Sequence, residues 1–198
     1  MVLKIALSGT HCSGKTTTTQ LLQERLVRCG VKAAYGLEIV RECPYLVNEA
    51  GSERAQLWIM LAQIVKELGF EKKADVVVLD RCVFDNLPYS KWLQQNHQLR
   101  KSVYDYLKRM ALEWAKLYPY TIIFVLDPLP LVDDGFRSVN LAYQNEVQTM
   151  LIKLYSELGG ELPNTRIIKI GRVTNKTLNK MVKIVIKEIN RHKHQQTF

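Results

Sequence analysis

Short apolar runs alternate with longer stretches of helical periodicity along the whole chain. Five runs predict strands, at 2–7 (VLKIAL), 31–37 (VKAAYGL), 75–80 (DVVVLD), 120–126 (YTIIFVL) and 166–170 (RIIKI). Helical patterns lie between and after them, at 52–68, near 84–95, 99–117 and 139–158, and at 174–192. This alternation is typical of an α/β protein whose mainly parallel sheet carries helices on both faces.

The helix predicted at 52–68 has a clear apolar side. Leu57, Leu61, Ile64 and Leu68 recur at helical spacing, and we expect this side to face the core. The loops and helices after the strands matter more for function, because ligands of such sheets bind at the carboxyl ends of the strands.

A glycine-rich segment follows the first predicted strand. It fits the pattern G-x-x-x-x-G-K-[ST] at every fixed position, with Gly9, Gly14, Lys15 and Thr16. Such a loop points backbone N–H groups at phosphate oxygens, the lysine reaches the outer phosphates and the threonine hydroxyl ligates Mg²⁺. The segment therefore predicts a nucleoside-triphosphate site, with ATP and Mg²⁺ as cofactors, formed by Gly9, Thr10, His11, Cys12, Ser13, Gly14, Lys15, Thr16 and Thr17.

Charged residues follow the next three predicted strands. They are Glu38, Arg41 and Glu42 after the second strand, Asp80, Arg81 and Asp85 after the third, and Asp127, Asp133, Asp134 and Arg137 after the fourth. Phosphoryl transfer needs a metal ion, cations near the transferred group and a carboxylate for the acceptor hydroxyl. We therefore expect these residues to surround the triphosphate.

Several of these residues have two interpretations. Asp80 directly follows a buried strand, where it can hold the metal opposite Thr16. Arg81 binds phosphate or pairs with a neighbouring acid, and Asp127, which precedes Pro128, is expected to be a helix N-cap. The segment at about 127–140 is either a plain turn or a lid over the phosphates.

The same motifs resemble a known family. "GTHCSGKTTT", Glu38-x-x-Arg41-Glu42, "LDRCVFDNLPY" and "DDGFRS" are similar in order and spacing to AAA-type P-loop proteins that include the nicotinamide riboside kinase domain of bacterial NAD regulators. The Asp-Arg pair is shared with thymidylate and deoxynucleoside kinases. The resemblance covers residues 2 to about 172. It implies a three-layer P-loop NTPase fold with a five-stranded parallel sheet of the nucleoside and nucleotide kinase type.

The resemblance also implies roles for single residues. Lys15 and Thr16 would bind the triphosphate and Mg²⁺, with Asp80 as the metal-linked acid. Arg81 would be a phosphate-binding arginine, Arg137 the lid arginine, and Glu38 the residue that contacts the acceptor. Two further residues, Arg41 and Asp85, complete the predicted substrate site.

The positive charge is concentrated at the end of the chain. The 198 residues carry a formal charge of +9 and are expected to form one domain. Residues 165–198 contain nine Lys or Arg and one acid, so that the predicted helix at about 174–192 is strongly basic. Its lysines recur on one side, which is either a solvated face or a surface for RNA or another polyanion.

Cellular location is predicted from what the sequence lacks. No apolar run approaches ~18 residues, so we expect no membrane span. The four cysteines are widely spaced, which favours free thiols in a reduced, cytoplasmic protein.

Three functions remain compatible with the sequence. The first is a small-molecule kinase that acts on a nucleoside, a nucleotide or a related metabolite. The second is a nucleotide-hydrolysing regulatory NTPase, and the third is a kinase of nucleic-acid ends that uses the basic helix. The segment 84–118 is expected to line the acceptor pocket, but it has no pattern that names the acceptor.

Overall fold

The computed structural model describes residues 2–70 and 74–195. The domain predicted over 1–198 also contains residues 1, 71–73 and 196–198, which lie outside the described residues. That residues 1–198 form a single domain stays a prediction.

Five strands form one parallel sheet in the described residues, as the apolar runs predict. They are β1 (Leu3–Ser8), β2 (Ala33–Gly36), β3 (Val76–Asp80), β4 (Ile122–Leu126) and β5 (Arg166–Gly171). Their order is β2-β3-β1-β4-β5, and each neighbouring pair is parallel. Because β1 lies in the centre, the loops that follow β1, β3 and β4 meet at one edge of the sheet.

Helices cover both faces of the sheet, which confirms the predicted three-layer α/β fold. They are α1 (Lys15–Arg28), α2 (Glu53–Leu68), α3 (Asn86–Gln95), α4 (Lys101–Leu117), α5 (Leu141–Leu158) and α6 (Asn175–Gln195). Successive strand residues point to opposite faces. Ile5 packs in one core with Leu22 of α1 and Val185 of α6, whereas Ala6 packs in a second core with side chains of α2, α3, α4 and α5.

Helix α2 turns a different side to the core than its leucines predict. Met60, Gln63 and Glu67 are buried, while Leu61 and Leu68 are 52% and 40% exposed. The expected apolar side was therefore wrong in these two positions. Three polar residues on the buried side, Gln56, Gln63 and Glu67, explain why the apolar periodicity did not predict that side.

Glu67 is buried because four donors surround its carboxylate. Lys4 Nζ and Trp114 Nε1 donate to Oε2 at 3.1 and 2.9 Å, and Tyr120 Oη and Gln63 Nε2 donate to Oε1 at 2.7 and 3.0 Å. A buried charge is tolerated only when it is paired and hydrogen-bonded in this way. The interaction fixes the orientation of α2 against the sheet.

Asp127 does not cap a helix, so that prediction was wrong. Its backbone N–H donates to Gly171 O at 3.2 Å, which continues the pairing of β4 with β5, and its carboxylate lies 3.7 Å from Lys169 Nζ. Helix α5 begins later, and its N-cap is Asn140, whose side chain accepts from Tyr143 N. Residues 127–140 therefore form a long loop, called here the β4–α5 loop.

Helix α6 presents its basic side to solvent. Lys176, Lys180, Lys183 and Lys187 are exposed, and the opposite side packs on the sheet through residues such as Met181. Within the described ranges, no helix is both long enough and apolar enough to cross a bilayer.

Candidate active site

Residues 9–16 form a tight loop between β1 and α1, as the glycine pattern predicts. Gly14 has φ 73° and occupies the N-cap of α1 in the left-handed conformation, which glycine adopts without strain. At Gly9 a Cβ would lie 2.7 Å from Ser13 Oγ and 3.0 Å from Leu126 O. Both glycines are thus required by the path of the loop, and the first N–H groups of α1 face into it.

Lys15 is buried and spans the loop. Its Nζ donates to Thr10 O at 2.5 Å and to Ser13 Oγ at 3.0 Å. Burial, with a smaller effect of the charge on Arg81, lowers the pKa of Lys15 to about 8. A cation held inside a ring of backbone amides is poised for an anion, because phosphate oxygens would satisfy it better than a carbonyl and a hydroxyl do.

Thr16 and Asp80 come together as predicted for a metal site. Thr16 Oγ1 donates to Asp80 Oδ2 at 2.5 Å, and Asp80 Oδ1 is buried without a hydrogen-bond partner. Burial raises the pKa of Asp80. A hydroxyl beside a carboxylate with a spare oxygen fits Mg²⁺, which takes oxygen ligands and keeps several waters. The described residues contain no cluster of three or more His, Cys, Asp or Glu side chains for another kind of metal site.

The remaining loop residues have different environments. Thr10 Oγ1 is buried without a partner, and Ser13 Oγ donates to Thr10 O at 2.8 Å. Cys12 has φ 53°, and its carbonyl accepts from Leu129 N at 2.7 Å, so it ties the phosphate loop to the β4–α5 loop. Thr17 is exposed on the first turn of α1.

Glu38 lies between two arginines. Arg81 Nε donates to Glu38 Oε1 at 2.6 Å, and Arg137 Nη2 lies 3.4 Å from Oε2. Arg81 has φ 78°, and its Nη1 lies 3.5 Å from Gly9 O, so its guanidinium links the acid to the phosphate loop. Of the two interpretations of Arg81, the structure has the pairing with an acid, and the paired guanidinium lies beside the phosphate loop.

Three nearby cations keep Glu38 ionised. Burial alone would raise the pKa of this carboxyl, but Arg81, Lys15 and Arg137 lower it to about 2. Glu38 is therefore ionised at neutral pH, and its carboxylate is a hydrogen-bond acceptor and a weak base.

Arg41 lies at the mouth of the site rather than in it. Its guanidinium donates to Asp134 and lies 4.9 Å from the centre of the Phe136 ring. Asn48 Nδ2 donates to Phe136 O at 2.9 Å. These contacts, with the pair between Arg137 and Glu38, dock the β4–α5 loop on the segment between β2 and α2.

Asp85 is buried, and the protein uses both of its oxygens. Oδ1 accepts from Ser8 Oγ at 2.8 Å and from Gly9 N at 3.1 Å, and Oδ2 accepts from Cys82 N at 2.9 Å and Cys82 Sγ at 3.3 Å. This arrangement differs from the substrate contact expected of Asp85. Asp85 therefore connects the end of β1 with the residues that follow β3, and we expect it to stabilise this part of the fold.

A second pocket adjoins the phosphate loop below the β4–α5 loop. It is lined by His11, Glu38, Ile39, Val40, Val47, Asn48, Gln56, Ile59, Met60, Gln63, Arg81, Cys82, Val83, Asp85, Asn86, Tyr89, Phe136 and Arg137. Of the segment 84–118, Asp85, Asn86 and Tyr89 line this pocket, and no residue of α4 does. Most of the other lining residues lie in the segment 38–48 and in α2.

The contact of the predicted phosphate-loop residue His11 with Tyr89 was not predicted from the sequence. Tyr89 Oη accepts from His11 N at 2.9 Å and lies 3.4 Å from His11 Nδ1, and the Arg81 guanidinium lies 5.6 Å from the Tyr89 ring centre. Burial and the nearby cations lower the pKa of His11 to about 4, so that its imidazole is neutral at pH 7. No local pattern marks Tyr89, which lies 78 residues after His11.

A family profile described as an AAA domain matches residues 4–166, from β1 to the first residue of β5. The chain belongs to the AAA_28 family of AAA domains. The matched part of this AAA domain contains the phosphate loop, Asp80 and the β4–α5 loop, which confirms the family resemblance seen in the motifs.

Solved structures with this fold include two complexes of NadR protein. NadR in complex with NR has a TM-score of 0.71 and 18% identity, and covers 94% of this chain and 51% of the NadR chain. NadR in complex with NAD and AMP-PNP has a TM-score of 0.67 and 16% identity. The match covers 94% of this chain and 49% of the NadR chain. The present chain therefore spans about half the length of these NadR chains.

Thymidylate kinases are also similar over nearly their whole length. The structure of thymidylate kinase from Candida albicans has a TM-score of 0.61 and 16% identity, and covers 97% of this chain and 92% of that one. A probable thymidylate kinase 1 from Saccharolobus solfataricus is 23% identical over 93% of this chain and 97% of its own. These likenesses confirm the P-loop kinase type of fold.

Proposed function

We propose that this AAA domain is a small-molecule kinase that depends on ATP and Mg²⁺. It transfers the γ-phosphoryl group of ATP to a hydroxyl of a nucleoside, a nucleotide or a related metabolite. Lys15, Glu38, Asp80, Arg81 and Arg137 are the residues that we propose to act in this reaction.

One observation carries the proposal. The phosphate loop shares a wall with a separate pocket, and Glu38, Arg81 and Arg137 lie at the boundary between the two. An enzyme that only hydrolyses a nucleotide needs space for water, whereas a kinase needs a second pocket for its acceptor.

The phosphate loop would hold the triphosphate. Lys15 would exchange its contacts to Thr10 O and Ser13 Oγ for phosphate oxygens, and the amides at the start of α1 would add their dipoles. Thr16 and Asp80 would hold Mg²⁺, with the unpartnered Oδ1 of Asp80 available for the ion or its waters. Bound there, Mg²⁺ would supply positive charge next to the phosphates.

The transfer forms one bond and breaks one. The acceptor oxygen bonds to the γ-phosphorus as the bond from that phosphorus to the β,γ-bridging oxygen breaks, and ADP leaves with the electron pair. Glu38 orients the hydroxyl by accepting its hydrogen bond. In a loose transition state the acceptor hydroxyl keeps its proton until late in the reaction, and the proton then passes to water. We propose that Arg81 and Arg137, which flank Glu38, stabilise the negative charge that develops on the transferred group.

The comparisons support the choice of a kinase. One NadR structure contains AMP-PNP, a triphosphate analogue, and two similar proteins are named thymidylate kinases. They support a nucleotide donor and an acceptor of nucleoside or nucleotide type for this chain.

The test is ADP release from ATP and Mg²⁺ with a panel of nucleosides, nucleotides and a 5′-hydroxyl oligonucleotide. Lys15→Ala is expected to abolish release, and the surface variant Lys116→Ala, which loses only an exposed pair with Glu113, is expected to retain it. Release that no acceptor stimulates would replace the kinase by a regulatory NTPase. Stimulation by the oligonucleotide alone would favour a nucleic-acid-end kinase.

A further inference from the structure

The pocket beside the phosphate loop has a largely apolar wall. Eight aliphatic or aromatic side chains contribute to it: Ile39, Val40, Val47, Ile59, Met60, Val83, Tyr89 and Phe136. Its neutral polar groups are mainly amides, from Asn48, Gln56, Gln63 and Asn86. A wall of this kind suits a flat, uncharged ring with a few hydrogen-bonding atoms.

The charges that line the pocket are balanced. Arg81 and Arg137 are the arginines among the described lining residues, and Glu38 and Asp85 are the acids. Both arginines contact Glu38, at 2.6 and 3.4 Å. His11 adds no charge at neutral pH, since its imidazole is neutral there.

From this balance we infer that the acceptor is an uncharged, nucleoside-like hydroxyl compound that carries no phosphate. The inference rests on the proposed function and narrows it, because it excludes nucleoside monophosphates as good acceptors.

A monophosphate would disturb this balance. It carries a charge of about −1.5 to −2 at pH 7. To bind beside the phosphate loop it would have to take Arg81 or Arg137 from Glu38, and this would leave the buried carboxylate with one arginine instead of two. Arg41 is not available to pair with the monophosphate, because it lies at the mouth of the site and already pairs with Asp134.

The first test compares matched acceptors. Each nucleoside of the panel is measured against its own 5′-monophosphate by ATP- and Mg²⁺-dependent ADP release. We expect kcat/KM for the monophosphate to be at least about 100-fold lower than for its nucleoside, which corresponds to the penalty of one poorly compensated buried charge. A monophosphate that reacts within about tenfold of its nucleoside, or better, would overturn the inference.

The second test removes the balancing carboxylate. Glu38→Gln leaves the two arginines without an acid between them, so monophosphates should now bind in the pocket. Binding is measured as the rise in melting temperature caused by a monophosphate while ADP saturates the phosphate loop. The control is Asp134→Asn, which makes the same change in net charge at the more exposed partner of Arg137.

The outcomes separate the inference from the proposed function. A larger monophosphate shift in Glu38→Gln than in wild type and Asp134→Asn supports the inference, and equal shifts in the two variants overturn it. Phosphorylation of monophosphates alone refutes the uncharged acceptor and retains the kinase. If no compound of the panel is phosphorylated, the kinase itself is refuted, and the inference falls with it.

Discussion

Asp85→Asn is a sharp test of how the site is built. The carboxylate accepts two hydrogen bonds on each oxygen, from Ser8 and Gly9 on one side and from Cys82 on the other. The amide of asparagine keeps one accepting oxygen and presents an NH₂ group to donors on the other side. A hydrogen bond to a charged group contributes about 1.5–3 kcal/mol, and an unsatisfied buried N–H costs about 1–3 kcal/mol.

We therefore expect Asp85→Asn to lower the free energy of unfolding by about 3 kcal/mol. For a chain of this size that corresponds to a melting temperature lower by roughly 6–12 °C. The assay is urea unfolding followed by circular dichroism, with Asp105→Asn as control, because Asp105 makes only an exposed pair with Lys101 and its loss should cost under about 1 kcal/mol. An unchanged free energy of unfolding together with a raised KM for the acceptor would refute this structural role and would support Asp85 as a substrate ligand.

Three further variants test other parts of the site. Asp80→Asn should abolish Mg²⁺-dependent ADP release but leave melting temperature within a few degrees of wild type, and retained activity would remove Asp80 from the metal site. Arg137→Ala should lower kcat more than it raises KM for ATP, since a cation at the transferred group is most useful in the transition state, and an effect on KM alone would contradict this. His11→Gln should reduce the pH dependence of stability. The pKa of His11 is 6.5 in the unfolded chain and about 4 in the folded protein, so between these values the unfolded chain binds more protons. The wild-type protein therefore loses stability as the pH falls from 7.5 to 5. His11 accounts for up to about 2 kcal/mol of this loss, or about 1 kcal/mol after allowance for solvation. Urea unfolding at both pH values measures the difference, and equal losses in wild type and variant would contradict it.

The sheet was predictable because its central strands are buried on both faces. Such strands must be apolar along their whole length, and β3 and β4 stand out from the helical patterns around them for this reason. Helix α2 was less predictable. Its buried side contains Glu67, which is stable there only because Lys4, Trp114 and Tyr120 supply donors from distant parts of the chain.

The position of the site was predictable, but the use of each charge was not. Parallel strands end at one edge of the sheet, so charged residues after β2 and β3 had to lie near the phosphate loop. Which of them pair with each other depends on side-chain directions that the sequence does not contain. Arg81 illustrates this, since its left-handed backbone conformation brings its side chain to Glu38. Asp85, five residues after Asp80, instead turns inward.

The docked β4–α5 loop connects entry of an acceptor with the state of Arg137. Phe136 and Arg137 of this loop line the pocket beneath it. We therefore expect an acceptor in this pocket to contact both side chains. The contacts that hold them are one hydrogen bond from Asn48 and ion pairs that are partly exposed, each of modest strength. Release of the loop would therefore cost little at Asn48 and Asp134 and more at Glu38, whose buried carboxylate would keep only its contact with Arg81.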